Sequence, residues 1–424
     1  MKTPPTRSSL APLILACAVT VAVSTTSAHA QIPCEYEVTT LQFPIECGIG
    51  TVITTGLSLN EKGAVVGYYY CPLWENFQGF MWTAEAGFEA LDPPQGVVEV
   101  FPRDINNNGI ICGSMYVWEY GYRGFVYENG EWTILPPVVD VPGAWSSAAA
   151  IDNAGVVAGQ RSLTEELNPQ NAYIWSATEG FRDLEGLEEL SAATAITGDI
   201  ITGWMVNPGE MKEGYLWDDG RVTFLGPIPG GLSSDPAAVT NQGVIVGSGA
   251  IPMDGYPFGI PRAFLWQEGK FTLLGTLPDH LISRAQDIRT KPQQIVGRSW
   301  NVDGTPTIAH GFIWEDGVMY DLNDFISGES GVLIEGATGI SARGEIVANG
   351  DDVEGEIVAF LLAPAAAPLG DLDGDCQVGV SDFLILLSNW GSCENCAACP
   401  ADLDNNCVVG VSDFLILLGK WGSN

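Results

Sequence analysis

The feature of this chain that most restricts its fold is a short motif that recurs seven times. Each copy is a run of apolar residues closed by a small residue, as in Gly63-Ala-Val-Val-Gly67. The copies lie at 63–67, 109–113, 155–159, 199–203, 243–247, 293–297 and 344–348. Successive copies are 46, 46, 44, 44, 50 and 51 residues apart. Such a period indicates one supersecondary unit per copy, packed against its neighbours.

Two further elements follow each copy and indicate that the unit is made of short strands. The first reads small–aromatic–apolar–aromatic, with a weaker last copy, at 79–82, 124–127, 172–175, 214–217, 263–266, 311–314 and 359–362. The second ends in a leucine, most clearly at Leu91, Leu135, Leu184, Leu225, Leu274 and Leu322. The turn Asn60-x-x-Gly63 before the apolar run has hairpin chemistry. Four short strands in each unit predict an all-β fold, a seven-bladed β-propeller over residues 31–362.

The seventh repeat has no fourth strand of its own. It ends at Leu362, and the Ala/Pro-rich residues 363–369 are typical of a linker. Residues 36–41 precede the first repeat and resemble a closing strand in composition. We expect 36–41 to pair with the strand near Phe360, which would complete the seventh blade and leave no open sheet edge.

The repeat as a whole resembles the extracellular family named HAF, whose pattern is INxxGxVVG followed by HAFxW and a DLG-like strand. The resemblance covers residues 36–362, and the histidine of the second element survives only in His310-Gly311-Phe312. It implies an exported, propeller-like protein and no established reaction.

The N-terminus has the organisation of a cleaved secretory signal over residues 1–30. Lys2 and Arg7 precede an apolar run of residues 10–23, and Ala28-His29-Ala30 matches a cleavage site. The run is too short for a membrane span, and a lipoprotein signal ending at Cys17 fits less well. We therefore expect an extracellular or cell-surface protein with no membrane span.

Charge restricts the partners of the chain. The formal net charge is −35, and it becomes −37 without the leader, which carries Lys2 and Arg7 but no acid. Such a chain is unsuited to bind nucleic acid or anionic membranes, which require basic patches. It is compatible with divalent cations.

The C-terminal residues 370–424 contain a duplicated segment with an offset of 31 residues, at 371–390 and 402–421. Positions 1, 3, 5 and 12 of each loop carry oxygen side chains, and an apolar run follows, which we expect to form a short buried helix face. Hard cations such as Ca²⁺ prefer six to eight oxygen ligands, including a backbone carbonyl at position 7.

The duplicated loop and helix resemble a dockerin type I domain. The resemblance assigns two Ca²⁺ sites, with carbonyl ligation at Gln377 and Val408, to Asp371, Asp373, Asp375, Gln377, Asp382, Asp402, Asp404, Asn406, Val408 and Asp413. It also implies a cohesin-like or cell-surface protein as partner.

Position 6 of each loop departs from the usual glycine and is Cys376 or Cys407. Cys393, Cys396 and Cys399 together with Cys407 could form a Zn²⁺ site, but disulfides are the default in an exported protein. We expect each loop cysteine to pair with the 393–399 segment. The nine cysteines that remain without the leader leave at least one thiol without an intramolecular partner.

Two functions remain open. The first is a non-catalytic exported propeller that binds an extracellular ligand or polysaccharide and is attached through its tail. The second is a carbohydrate-active enzyme, a glycoside hydrolase or polysaccharide lyase, which would use a carboxylate pair; the candidate acids are Asp104, Asp152, Asp183, Glu185 and Asp287. A surface-layer or matrix component is a third, weaker interpretation.

His280 and His310 suit hydrogen bonding better than catalysis, and no nucleophile elbow or zinc-protease motif is present. Aromatic residues outside the repeat pattern that can stack on sugars are Trp74, Tyr120, Trp145, Trp204 and Trp300.

Overall fold

The computed structural model describes residues 32–41, 53–71, 75–138, 143–162, 170–187, 190–206, 211–301 and 309–422. Seven four-stranded antiparallel sheets are followed by a small tail with two helices. The predicted leader, Cys47 and Trp74 lie outside the described residues. Within the described ranges, no helix combines the length and apolarity needed to cross a bilayer.

The sheets follow the repeats one for one, which confirms the seven-bladed all-β propeller. β1 (Tyr36–Thr40) comes before the repeats. Blades 1 to 4 are β2 (Ile53–Leu59), β3 (Val65–Cys71), β4 (Asn76–Thr83), β5 (Gly87–Ala90); β6 (Val97–Ile105), β7 (Ile111–Val117), β8 (Gly121–Glu128), β9 (Glu131–Leu135); β10 (Ser146–Ile151), β11 (Val157–Ser162), β12 (Gln170–Ser176), β13 (Gly180–Asp183); β14 (Ser191–Thr197), β15 (Ile200–Val206), β16 (Lys212–Asp218), β17 (Arg221–Phe224). Blades 5 to 7 are β18 (Asp235–Val239), β19 (Ile245–Met253), β20 (Tyr256–Gln267), β21 (Lys270–Gly275); β22 (Ile282–Thr290), β23 (Gln293–Trp300), β24 (His310–Glu315), β25 (Val318–Asp321); β26 (Leu333–Ile340), β27 (Ile346–Asp351), β28 (Ile357–Pro364). The first strands of successive blades contact one another, and β2 contacts β26, so these strands line the centre of a closed ring.

The seventh blade is completed by the N-terminal strand. β1 pairs antiparallel with β28, in register from Tyr36↔Pro364 to Thr40↔Phe360. The Leu41 N–H donates to the Ala359 carbonyl at 2.9 Å and extends this pairing by one residue. The predicted pairing near Phe360 is therefore present. β28 extends two residues beyond the predicted propeller boundary at 362.

A bulge in every innermost strand explains the repeated glycine. The register of the first strand shifts by one residue in all seven blades, for example between Gly56 and Ser58 in blade 1. A Cβ on Gly67 would lie 1.9 Å from the Thr55 carbonyl oxygen and 2.9 Å from the Phe80 ring. Only glycine permits this approach of the bulged strand. The central aromatic of the second element is fully buried in every blade: Phe80, Phe125, Tyr173, Tyr215, Phe264, Phe312 and Phe360.

The Asx residue of the inner turn also joins neighbouring blades. Asn106 Oδ1 accepts the backbone N–H groups of Asn108 and Ile110, which forms its own turn. Asn60 Nδ2 donates to the Asn106 carbonyl at 3.0 Å, and Asn106 Nδ2 donates to the Asp152 carbonyl at 2.9 Å. Because Asp152 has no side-chain amide, this ladder ends at blade 3.

The tail contains α1 (Val380–Ser388) and α2 (Val411–Gly419), with a two-residue ladder between β29 (Gly391–Ser392) and β30 (Val408–Val409). Short 3-10 turns lie at Leu322–Phe325, Gly328–Ser330 and Cys396–Ala398. Val378, Leu386, Ala401, Val409 and Leu417 form the buried core of the tail.

Disulfides confirm one of the two predicted loop pairings and correct the other. Cys407 pairs with Cys396, as predicted, and Cys393 pairs with Cys399. Cys376 pairs with Cys34, next to β1, and not with the 393–399 segment. The reason is spatial, because the first loop lies against the N-terminus of the propeller. Among the described residues Cys112 is a free thiol, and it is buried.

Candidate metal centre in the C-terminal tail

Each loop of the tail brings acidic side chains together. One carboxylate oxygen each from Asp371, Asp373 and Asp375 lies within 4.8 Å of the others. The second loop gathers Asp402, Asp404 and Asp413 in the same way. Like charges at this spacing repel one another, so each cluster is unfavourable unless a cation offsets it.

The first aspartate of each loop is the centre around which the backbone turns. Asp371 accepts the Gly374 N–H at 2.7 Å with Oδ1 and the Cys376 N–H at 3.1 Å with Oδ2. Asp402 accepts the Asn406 N–H at 3.0 Å and the Cys407 N–H at 2.7 Å. The two copies therefore share the contact from Oδ2 to position 6, whereas Oδ1 accepts from position 4 in the first loop and from position 5 in the second.

The last acid of each loop is anchored in the following helix. Asp382 and Asp413 occupy the third position of α1 and α2, and both are fully buried. Asp413 Oδ1 accepts the backbone N–H of Leu403 at 2.7 Å and Oδ2 that of Gly410 at 2.7 Å. Burial raises the pKa of Asp413, but the backbone hydrogen bonds outweigh burial and hold the pKa below its ordinary value. This carboxylate stays charged in the folded tail.

The remaining assigned positions are in equivalent places in both loops. The Gln377 N–H donates to Asp375 Oδ1 and the Val408 N–H donates to Asn406 Oδ1, each at 2.9 Å. Burial raises the pKa of Asp373, and the charges of Asp382 and Asp375 raise it further. Carboxylates crowded into one loop, with only oxygen donors at the assigned positions, fit a hard cation such as Ca²⁺.

Cys376 and Cys407 adopt the left-handed conformation that glycine usually provides at position 6, with φ of 68° and 69°. This conformation is unfavourable for a residue with a Cβ. Each residue is held by its disulfide, so a cross-link takes the place of the glycine in shaping the loop.

Sequence reasoning missed the outer faces of the two helices. The apolar run after each loop was expected to form a buried helix face, yet Leu386 and Leu417 are its only fully buried members among the described residues. The exposed members repeat at equivalent positions in both copies: Val380, Leu384, Leu387 and Trp390, and Val411, Leu415, Leu418 and Trp421. The spacing of four and three residues places Val380, Leu384 and Leu387 on one face of α1 and the equivalent three residues on one face of α2, and each Trp follows the end of its helix. Apolar faces of this kind mark interaction sites.

The candidate catalytic acids lie on separate elements of the propeller. Asp183 is in an ion pair with Arg161 at 2.8 Å, and Asp152 shapes the inner turn of blade 3. Asp104 and Asp287 occupy equivalent bulge positions on β6 and β22. Burial raises the pKa of both, that of Asp287 to about 7 with a smaller contribution from the Asp104 charge.

The other candidate residues have local partners. His310 Nδ1 contacts Asp321 Oδ2, and the His280 ring packs edge-on against His310 with centroids 5.4 Å apart. Lys212 lies 4.2 Å from the Trp204 ring centroid, and Arg284 and Arg298 lie 5.8 and 5.4 Å from that of Trp300. Trp145 is half-buried and Tyr120 is exposed. The four described aromatics belong to four different blades.

Comparisons with known proteins concern the propeller. No family model matches the chain, and no curated protein matches it. Among solved structures, the β-propeller domain of the Trilobed protease from Pyrococcus furiosus is similar at 12% identity and a TM-score of 0.45, over 74% of this chain and 95% of that domain. The acylaminoacyl peptidase of Pyrococcus horikoshii is similar at 13% identity and a TM-score of 0.44, over 73% of this chain and 51% of the peptidase. Trypanosoma rangeli sialidase is similar at 8% identity and a TM-score of 0.35, over 66% of this chain and 56% of the sialidase. These similarities concern the fold alone.

Proposed function

We propose that the chain is an exported scaffold whose propeller binds an extracellular ligand or polysaccharide and whose tail attaches it to a partner protein in a calcium-dependent manner. The observation that carries this proposal is the paired arrangement of the tail. Two acidic loops, each suited to Ca²⁺, are followed by two helices with equivalent exposed apolar faces. The proposal includes the dockerin-like and HAF-like assignments and places the protein outside the cell or on its surface.

Calcium would link each acidic loop to the helix that follows it. Asp382 and Asp413 belong at once to a loop and to the first turn of a helix. A cation that gathers the loop carboxylates therefore fixes the start of the helix that presents the apolar face. The partner would be a cohesin-like or cell-surface protein with a complementary apolar surface.

We expect two Ca²⁺ per molecule in isothermal titration of the mature, chelator-treated protein. Replacing Asp373 and Asp375 with Asn should leave one site, and so should replacing Asp402 and Asp404, because each change removes two of the clustered carboxylates. Free Ca²⁺ at about 100 times Kd should stabilise the tail by roughly 2.7 kcal/mol per site.

The matched control is Asp254→Asn, which removes an exposed acid of the propeller and should keep two sites. Absence of binding heat in the parent protein, or equal losses in all variants, would contradict the calcium proposal. Release of the protein from the cell envelope by EDTA would test attachment separately.

The enzyme alternative depends on Asp104 and Asp287 of the inner strands, and the Asp104 charge contributes to the raised pKa of Asp287. Their oxygens are occupied by the strands: Asp104 accepts Ser58 Oγ at 2.6 Å and the Ile151 N–H at 2.9 Å, and Asp287 accepts the Ile340 N–H at 2.8 Å. Each carboxylate thus binds a backbone N–H of the next blade, which favours a structural role. A reducing-sugar assay on a polysaccharide panel, with Asp287→Asn as the inactive comparison, decides between the two functions.

A further inference from the structure

The inner hairpin of blade 4 is shorter than those of the first three blades. In blade 4, Thr197 pairs directly with Ile200, and two residues form the turn. In blade 1 the last pair is Leu59 with Val65, so five residues connect the strands. The turn of blade 4 is therefore three residues shorter than that of blade 1. It leaves space beside the inner turn of blade 3.

That space is a pocket of about 270 Å³ between blades 3 and 4. Trp175 of β12 and Trp217 of β16 line it together with Ile174. Trp175 is half-buried, whereas Trp217 is nearly covered and donates its Nε1–H to the Glu185 carbonyl at 3.3 Å. An apolar, partly exposed indole therefore faces a cavity near the lower end of the size range of small-molecule sites.

Polar groups surround the indoles. Asp152 is only 8% exposed, and its Oδ1 accepts the Ala154 and Val156 N–H groups at 2.9 and 2.8 Å. Its Oδ2 accepts no hydrogen bond from the described part of the chain, although Asp152 lines the pocket. The guanidinium of Arg182, also on the lining, lies 5.5 Å from the Trp217 ring centroid.

The charges of the lining restrict the ligand. Asp152, Glu179 and Asp199 contribute three carboxylates and Arg182 one cation, so an anionic ligand is disfavoured. Carboxylates accept hydrogen bonds and donate none. A neutral ligand that donates hydroxyl protons to these carboxylates and presents an apolar face to the indole fits this lining. A sugar ring meets all three conditions.

The pocket adjoins a second one of about 380 Å³ at the inner turns of blades 1 to 4. The two share Asp152, Ala154, Ile196 and Gly198 in their linings. A ligand longer than one ring therefore has room to extend along the turns.

Blade 6 also has a short inner hairpin, since Thr290 pairs with Gln293. There Arg289 lies over the next turn: its Nη1 donates to the Ala342 carbonyl at 3.2 Å, and its guanidinium lies within 3.2 Å of the Cβ position of Gly344. In blade 4 the equivalent residue is Thr197, which is too short to cover the gap. A short hairpin and a short side chain together open the pocket.

We propose that this interblade pocket binds a neutral hexose unit of an extracellular glycan, with Trp175 as the stacking surface and Asp152 and Arg182 as hydroxyl partners. The proposal rests on the scaffold function above, because it names the ligand class of the propeller. It is independent of the calcium sites of the tail.

The test is titration of the mature protein with the neutral methyl hexosides of glucose, galactose and mannose and with cellotetraose, followed by tryptophan fluorescence and calorimetry. Dissociation constants near 1 mM, about −4 kcal/mol, are expected for single units. Trp175→Ala should weaken binding at least about tenfold. Asp152→Asn should also weaken it while keeping the turn, because asparagine occupies the same position at 60 and 106.

The matched control is Trp82→Ala, the same repeat position in blade 1, which is half-buried and should keep full affinity. No response to any of these sugars up to about 50 mM would overturn the pocket proposal. Calcium binding by the same preparation would then show that the attachment function survives. Binding that Trp175→Ala leaves unchanged would place the glycan elsewhere on the propeller and overturn this site, but not the scaffold function.

Discussion

At the scale of single residues, the acidic side chains of this protein differ in their burial and in their hydrogen-bond partners. Asp287 lies on the innermost strand of blade 6 and accepts two backbone N–H groups, one of them from blade 7. Burial is the largest cause of its raised pKa of about 7. In the unfolded chain an aspartate has a pKa near 3.9.

This difference predicts a pH-dependent stability. Between pH about 4 and about 7 the folded state holds a proton that the unfolded state has lost, so the contribution of Asp287 to stability falls as pH rises through this window. Asp287→Asn cannot lose that proton. Relative to the parent protein, the variant should gain about 2–4 kcal/mol of unfolding free energy from pH 4 to pH 8.

Denaturant unfolding at the two pH values measures this change. Asp254→Asn, which alters an exposed acid, provides the control and should show no such gain. A stability difference between Asp287→Asn and the parent that is independent of pH would show that Asp287 is ionised throughout the range.

At the scale of elements, the inner turns hold neighbouring blades together. Asn106 performs two tasks, because Oδ1 closes its own turn and Nδ2 donates to the Asp152 carbonyl of blade 3. The same contact recurs one repeat earlier between Asn60 and Asn106. The repeat motif thus encodes both the hairpin and the joint between hairpins.

Two substitutions at Asn106 should separate these tasks. Asn106→Asp keeps the turn, as Asp152 does in blade 3, and loses the interblade bond, so we expect a loss of about 1 kcal/mol. Asn106→Ala loses both and should cost about 2–3 kcal/mol. Chemical denaturation measures both values. Parent-like stability of Asn106→Asp would show that the bond between blades adds nothing, and equal effects of the two substitutions would show that the turn contacts add nothing.

Much of this fold was predictable from the sequence because each repeat contains the residues that determine its strands and turns. Three features of the repeat correspond to specific contacts: the small residue that closes the apolar run, the buried aromatic and the Asx turn. The pairing of residues 36–41 with the seventh blade was predictable because that blade lacks a fourth strand of its own. The partner of Cys376 and the exposure of Leu384 and Leu415 were not predictable, because both depend on where the tail packs. The pocket between blades 3 and 4 was not predictable either, because it depends on Thr197 occupying the position that Arg289 occupies in blade 6.

At the scale of the whole molecule, one cross-link connects the N-terminal segment before β1 to the first loop of the tail. The Cys34–Cys376 disulfide spans 342 residues and lies two residues before β1, the strand that closes the ring. It therefore joins the first acidic loop of the tail to the closure of the propeller. Cross-links over long segments stabilise most by restricting the unfolded chain.

Replacing Cys34 and Cys376 together with serine should destabilise the propeller by about 2–5 kcal/mol. The control is the same change at Cys393 and Cys399, which are six residues apart within the tail and should leave propeller melting unchanged. Calorimetry without reductant measures both transitions. Equal melting of the propeller in both variants would mean that β1 closes the ring without help from the disulfide.

The same cross-link determines how tension would pass through an attached molecule. The tail leaves the propeller from the end of β28, and Cys34 returns the tail to the adjoining end of β1, where Tyr36 pairs with Pro364. A pull on the tail is therefore shared by two neighbouring strands of blade 7 rather than peeling one strand from the edge. A protein tethered by its tail while its ring holds a ligand would carry that load through the two strands that close its propeller.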